Sequence, residues 1–275
     1  VTDLRAAHRA AEGAQRRFEA RLPAASAISA CLAAQRQAPP RSLFAKVFGV
    51  GPLTEQSRKW YSNAVGEQHV AAELAKLGPD WAVLHSVPVG DRGQTVDHLV
   101  IGPGGVFVVD AVHQHGATID VRRDVRGAQL YVNGAERPYI TQSRNVATDA
   151  ALGLTRAVGM NVPVRGVLVA VSPKSLTVRD QPDDVAVTCE RTVRGWLAGE
   201  STVLSAAQVS TIADVASQTS TWRGAMFQSR LPAFDPEVFE TLRVEVQRAW
   251  FARAVWGGAL VTAAAIAAVQ FAAVV

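Results

Sequence analysis

The chain has 275 residues, 28 Lys and Arg against 24 Asp and Glu, and a formal charge of +4 at neutral pH. That length holds one sizeable core with appendages, and two distant cysteines, Cys31 and Cys189, exclude a disulfide framework or a thiolate cluster. Residues 1–48 carry eight basic and three acidic side chains, which leaves a charge of −1 for all that follows and excludes a uniformly basic nucleic-acid-coating body.

Over residues 3–22, Leu4, Ala7, Ala11, Ala14, Phe18 and Leu22 recur at three- and four-residue spacing, which predicts a helix with a thin, mostly alanine stripe. A second helical piece over 24–37 stops before Pro39-Pro40, whose rings forbid continuation. This basic arm either lies on anionic lipid, touches nucleic acid, or is a solvated helical hairpin. Residues 41–56 read as a linker whose Leu43, Phe44, Val47 and Phe48 dock on another surface. Val65, Val70, Leu74 and Leu77 then mark a helix over 57–77, closed by Gly78-Pro79, with Gly66-Glu67 on it. A strand over 81–89 and a turn at Asp91-Arg92-Gly93 follow.

The stretch 95–116, TVDHLVIGPGGVFVVDAVHQHG, reads as two apolar strands over 96–101 and 106–112 around a Gly-Pro-Gly-Gly reversal. Strand side chains alternate faces, so Asp110 and Val112 point the same way and Ala111 points opposite. Asp97 lies on the first strand. Two aspartates on adjacent strands of an otherwise apolar hairpin are costly to bury unless a metal or a cation compensates them. They are the sharpest chemical signal in the chain.

Further strands are expected over 117–121 and 129–132, a helix over 139–158, a buried central strand over 163–171, a strand over 185–189 and a short helix over 192–197. Residues 201–222 pattern as a polar helix. Asp235 then offers an N-cap and Pro236 a first helical position. Residues 254–275 contain no charge, and these 22 residues at ~1.5 Å each span about 33 Å, enough for a bilayer core of about 30 Å. Arg243, Arg248 and Arg253 flank that segment, with Trp250 and Trp256 near the same interface. The expectation is a single-pass tail anchor in the cell membrane whose preceding domain faces the cytoplasm; a buried alanine-rich core helix is the alternative. Gly257, Gly258 and the alanines leave room for a second such helix, hence a homo-oligomer through the membrane span.

Gly66-Glu67, the DHLVIGPGGVFVVD block and Gly116 resemble the NERD (nuclease-related) domain, a family allied to the restriction-endonuclease-like fold. The resemblance covers roughly residues 60–198 and implies a mixed β-sheet flanked by helices, an α/β architecture. It implies Glu67, Asp97 and Asp110 as the catalytic acids, with Asp97 and Asp110 as ligands of Mg²⁺ or Mn²⁺, and nucleic acid as the partner. The family's lysine two residues after the second acid is here Val112, which holds no charge and donates no hydrogen bond. Losing one such group costs on the order of 100- to 1000-fold in rate. His113 has the wrong strand parity to replace it, Gln114 is uncharged, and His115 lies past the expected strand end.

The organisation expected is therefore a basic helical arm and linker (1–53), a NERD-like domain (54–200), a helical connector (201–253) and a transmembrane helix (254–275). Three functions compete. One is a membrane-anchored, degenerate metal-dependent phosphodiesterase that retains metal or nucleic-acid binding. The second is an active nuclease with a non-standard base. The third is a non-enzymatic membrane-associated module whose aspartates only make local hydrogen bonds.

Overall fold

A computed structural model describes residues 21–36, 38–90, 94–222 and 234–272. Most of the helix expected over 3–22, and the turn at Asp91-Arg92-Gly93, lie outside the described residues. The chain divides into two compact units: Val1–Ala27 with Ser62–Leu231, and Ile28–Tyr61 with Pro232–Val275.

The first unit is a mixed α/β body built on β-branched runs. Its main sheet has the order β1 (Ala82–Val89), β2 (Gln94–Gly102), β3 (Gly105–His113), β7 (Val164–Val171), β9 (Val185–Cys189). β2 runs antiparallel to both of its neighbours, β1 and β3, and β3, β7 and β9 run parallel. The β2–β3 hairpin closes at Gly102 opposite Gly105, whose φ of +126° only glycine takes without strain.

Helices cover both faces. The helix over Glu55–Leu74 (α3, after α1 at Ala25–Gln35 and α2 at Leu43–Val47) belongs to this unit from residue 62 onward. Its Val70 and Leu74 pack with Val100, Phe107, Val109, Val167 and Val169 on one face. On the other, Leu99, Ile101, Val106 and Val108 meet Ala147, Ala150 and Leu154 of α4 (Tyr139–Val158). That helix has the bounds its periodicity predicts and ends at Gly159, left-handed with φ +78°, whose N–H bonds Thr155 O at 3.0 Å.

Two differences from the sequence expectation stand out. A second sheet, ordered β6 (Ala135–Arg137), β5 (Gly127–Val132), β4 (Thr118–Asp124), β8 (Ser175–Val178), packs Ile119, Val121, Leu130 and Val132 on Leu168, Ala170 and Val187. β6 and β8 are too short and too polar to register as strands in sequence; pairing with β5 and β4 makes them so. The helix expected over 201–222 stops early. α6 (Ala206–Ser217), opened by a Ser205–Gln208 capping box, gives way at an extended Gln218 to a 3₁₀ turn over Thr219–Trp222. That break turns Trp222 into the core, with its indole N–H on Ala216 O at 2.8 Å. α5 (Val193–Gly199) supplies Val193 and Leu197 to the α3 face.

The second unit is helical. Gln35 on α1 donates to Pro52 O at 2.7 Å and accepts from Ser57 Oγ at 2.7 Å. The expected linker holds a turn of helix, α2, because Ser42 Oγ accepts from Ala45 N at 3.1 Å and caps it. The last helix, α7 (Pro236–Ala272), starts where Asp235 and Pro236 predict, with Glu237 N on Asp235 Oδ1 at 2.9 Å. It is long and apolar enough to cross a membrane, and the apolar window is exposed along its length. Both cysteines are free thiols.

Candidate functional site

The β2–β3 ladder runs from Gly102 opposite Gly105 to His98 opposite Val109 and stops there; one step further, Asp97 and Asp110 would be partners. On its other side Asp97 faces Ser86, the position that the β1–β2 ladder skips, with φ +52°. Asp97 thus sits where the sheet opens on both sides. The freed backbone groups go to the carboxylates. Ala111 N donates to Asp97 Oδ2 at 2.8 Å, and the Asp97 N–H lies close enough to the Asp110 carboxyl to lower its pKa. Both side chains are half-buried.

Alternation along the strands sends Asp97, Asp110 and Val112 to the α4 side, and the α4 residue Ser143 lies close enough to lower the Asp110 pKa. Ser143 itself is buried, and its Oγ closes no hydrogen bond of good geometry. Glu67 comes from α3 on the other side of the sheet and is only 7% exposed. Gly66 explains its position. A Cβ there would lie 2.7 Å from the Cβ of His113, so a glycine lets α3 press against the end of β3. The next residue is then carried to the opening in the sheet.

The three carboxyls interact. Burial first, then the charge of Asp110, pushes Glu67 up to about 8. Burial, then Glu67 and Asp110, holds Asp97 well above the usual carboxylate range, against the Ala111 N–H that favours its ionised form. Burial raises Asp110 to about 6, and the nearby Asp97 N–H and Ser143 hydroxyl resist that rise. None of the ion pairs among the described residues includes any of the three. Carboxylate oxygens with no cation beside them are the donor type a divalent metal such as Mg²⁺ or Mn²⁺ takes. Among the described residues no group of three or more His, Cys, Asp or Glu is already drawn together to coordination spacing. The chemistry of the donors fits a hard cation, and its binding would have to draw the carboxyls inward.

Val112 lies on the Asp110 face and is 7% exposed, packed with Ile119, Ile140, Leu168 and Ala170. The surroundings of Val112 on this face are apolar. His113 is on the α3 face, against Gly66, as strand parity predicts. Gln114 donates to Tyr139 Oη at 3.3 Å, away from the acids.

Two features escaped the sequence reading. His98 and His85 are register partners with Nδ1 atoms 2.8 Å apart, so one ring donates and the other accepts, and both are neutral. Burial, then His85, pushes His98 down to about 3. His69 and His115, with Glu190, also lie within electrostatic reach of His113. Strand spacing carries the first signal, since His85 and His98 flank a predicted turn; nothing local carries the second.

Residues 62–171, from within α3 to the end of β7, match the family model of NERD, the nuclease-related domain. That stretch includes Glu67, Asp97, Asp110 and Val112. No curated protein and no solved structure matches the chain.

Proposed function

With a nuclease-related domain at residues 62–171 as the starting point, we propose that this is a membrane-anchored nuclease-related protein. Its Glu67–Asp97–Asp110 cluster binds Mg²⁺ or Mn²⁺ and a nucleic-acid phosphate, with weak or no phosphodiesterase activity. The observation that carries this reading is that Asp97 and Asp110 share a sheet opening with Glu67 in electrostatic reach, burial raising all three carboxyls and no cation lowering any of them. A divalent ion bound there would polarise a phosphate and acidify a water. Asp97 and Asp110 are its ligands, and Glu67 assists directly or through water. The Ser143 hydroxyl and the Asp97 amide orient Asp110, and Ala111 N–H orients Asp97.

The low activity follows from Val112. An isopropyl group in an apolar cluster neither stabilises developing charge nor moves a proton, and His113 and Gln114 are engaged elsewhere. A purely structural role for the aspartates is the competing reading, favoured by the Ala111–Asp97 bond.

Residues 254–275 form the anchor. Arg243, Arg248 and Arg253 on its N-terminal side support a cytoplasmic placement for the nuclease-related domain. Gly257 and Gly258 have open space where a Cβ would stand, which leaves room for a second copy of the helix.

Mn²⁺ titration followed by a cleavage assay on single- and double-stranded DNA and RNA tests the site. Saturable binding with little cleavage is the expected result. Cleavage lost in Asp110→Ala would replace it with an active nuclease using another base, and absence of both binding and cleavage would leave the structural role.

A further inference from the structure

In the second unit, residues 41–50 run along one face of α7. Arg41 Nη1 lies 3.9 Å from Glu245 Oε2. Gly49, with φ +71°, sits so close that a Cβ would meet Ala249 O and lie 2.6 Å from Arg253 N. The Phe48 ring stacks on Trp256 at 5.0 Å between centroids, and Trp256 Nε1 donates to Val47 O at 2.9 Å. Glu245, Ala249, Arg253 and Trp256 are three or four residues apart, hence one face of the helix. The contacts end at Trp256, three residues past Arg253, the last charged residue of α7.

Apart from Phe48, the large apolar side chains of this segment are left exposed. Leu43 is 81% and Phe44 67% exposed, and Val47, Val50, Trp250 and Phe251 are exposed with them. A five-residue helix is marginal in water, yet α2 is capped and pinned, and so presents an apolar patch at a fixed level on α7. Across 41–50 and 245–256 there are four basic residues, Arg41, Lys46, Arg248 and Arg253, and one acidic residue, Glu245, which is paired with Arg41.

We propose that residues 41–50 are an interfacial foot, seated in the headgroup–acyl boundary of an anionic bilayer next to the point where α7 enters it. The inference rests on α7 spanning the membrane. Two observations select lipid as the occupant. The patch is continuous with the charged-to-uncharged boundary of α7, and Phe44, Phe48, Trp250, Phe251 and Trp256 combine with basic side chains as interfacial segments do. α2 then sets the depth of α7 by its packing on Trp256.

The test uses the full chain carrying Cys31→Ser and Cys189→Ser, with an environment-sensitive fluorophore on Phe44→Cys or on Val261→Cys. Each is reconstituted in vesicles of equal parts phosphatidylcholine and phosphatidylglycerol, with nitroxide lipids labelled near the headgroup or near the chain end. The foot predicts that the position-44 probe is quenched most by the shallow nitroxide and the position-261 probe most by the deep one. A Val47→Cys label, which keeps both phenylalanines, gives the same shallow reading. Shallow quenching at position 44 falls when phosphatidylcholine alone is used; unchanged quenching would overturn the anionic assignment. Quenching at 261 with none at 44 or 47 overturns the foot and leaves the span standing. A disulfide between unlabelled F44C copies, together with no lipid quenching of the labelled ones, gives the face to a second copy instead. No quenching at 261 removes the membrane reading, and the foot with it.

Discussion

Asp97 and Asp110 stand opposite each other where the β2–β3 ladder ends, and each carboxylate meets a main-chain N–H of the facing strand: Ala111 N donates to Asp97 Oδ2 at 2.8 Å, and Asp97 N lies close enough to Asp110 to lower its pKa. The exchange replaces the next rung of the sheet with two acid side chains. It holds them together without neutralising them, and Glu67 adds a third carboxyl from α3.

The first prediction concerns pH. A carboxyl with a raised folded pKa keeps its proton in the folded chain when the unfolded chain has already lost it, so stability falls as pH rises between the two values. For Glu67 that window runs from 4.5 to about 8, and for Asp110 from 3.8 to about 6. Metal-free protein should therefore melt lower at pH 8 than at pH 6, and Mn²⁺ should reverse the loss. Asp110→Asn, which removes the charge but keeps the shape, should raise the metal-free Tm at pH 8 by several degrees, since ~1 kcal/mol moves a domain of this size by about 2–4 °C. It should also abolish the Mn²⁺ effect. Thermal melts across pH, with and without Mn²⁺, check both.

The second concerns Val112. Val112→Lys puts an ammonium on the Asp110 face at the cost of overpacking beside Ile140 and Leu168, about 1–3 kcal/mol. If a missing cation is what limits the site, metal-dependent cleavage should rise by roughly 100-fold or more. Val112→Met tests size without charge and should not change activity. A Lys variant that folds, binds Mn²⁺ and still fails to cleave would show that more than this residue has been lost.

The third concerns Gly66. Gly66→Ala drives a methyl into His113 at 2.7 Å and must move α3. The expected loss is about 1–3 kcal/mol, together with weaker Mn²⁺ binding, because Glu67 moves with the helix. Denaturant melts and a metal titration separate the two effects; lost stability with unchanged metal affinity would remove Glu67 from the site.

The histidine pair supplies the opposite pH limb. A His whose folded pKa is lowered favours the neutral form, so stability is present above 6.5 and is lost as pH falls through the folded value. His98, pushed down to about 3, should show no ring titration by NMR near pH 6.5, and acidification below 6.5 should destabilise the domain. A normal titration for His98 would mean that the pair is open to water.

Legibility in sequence tracks how local the cause is. Val146, Ala150 and Leu154 write α4 into the periodicity, and Asp235-Pro236 writes the start of α7. The acids were legible because carboxylates are conspicuous in β-branched strands, and strand parity placed Val112 beside Asp110 and His113 away from it. The second sheet was not, because Ala135–Arg137 and Ser175–Val178 become strands only by pairing. Nor was the role of Gly66, since it depends on His113 arriving from β3, nor the foot, since α2 owes its place to Ser42 and Trp256.

The most direct test is calorimetric titration of the full-length protein with Mn²⁺ near pH 7, repeated in two buffers of different ionisation enthalpy to count protons. One saturable site that releases protons, absent from Asp97→Asn and Asp110→Asn variants that remain folded, is the outcome expected of Glu67 and Asp97 holding protons in place of a cation. Heats that do not saturate, or a site that survives both substitutions, would contradict the account.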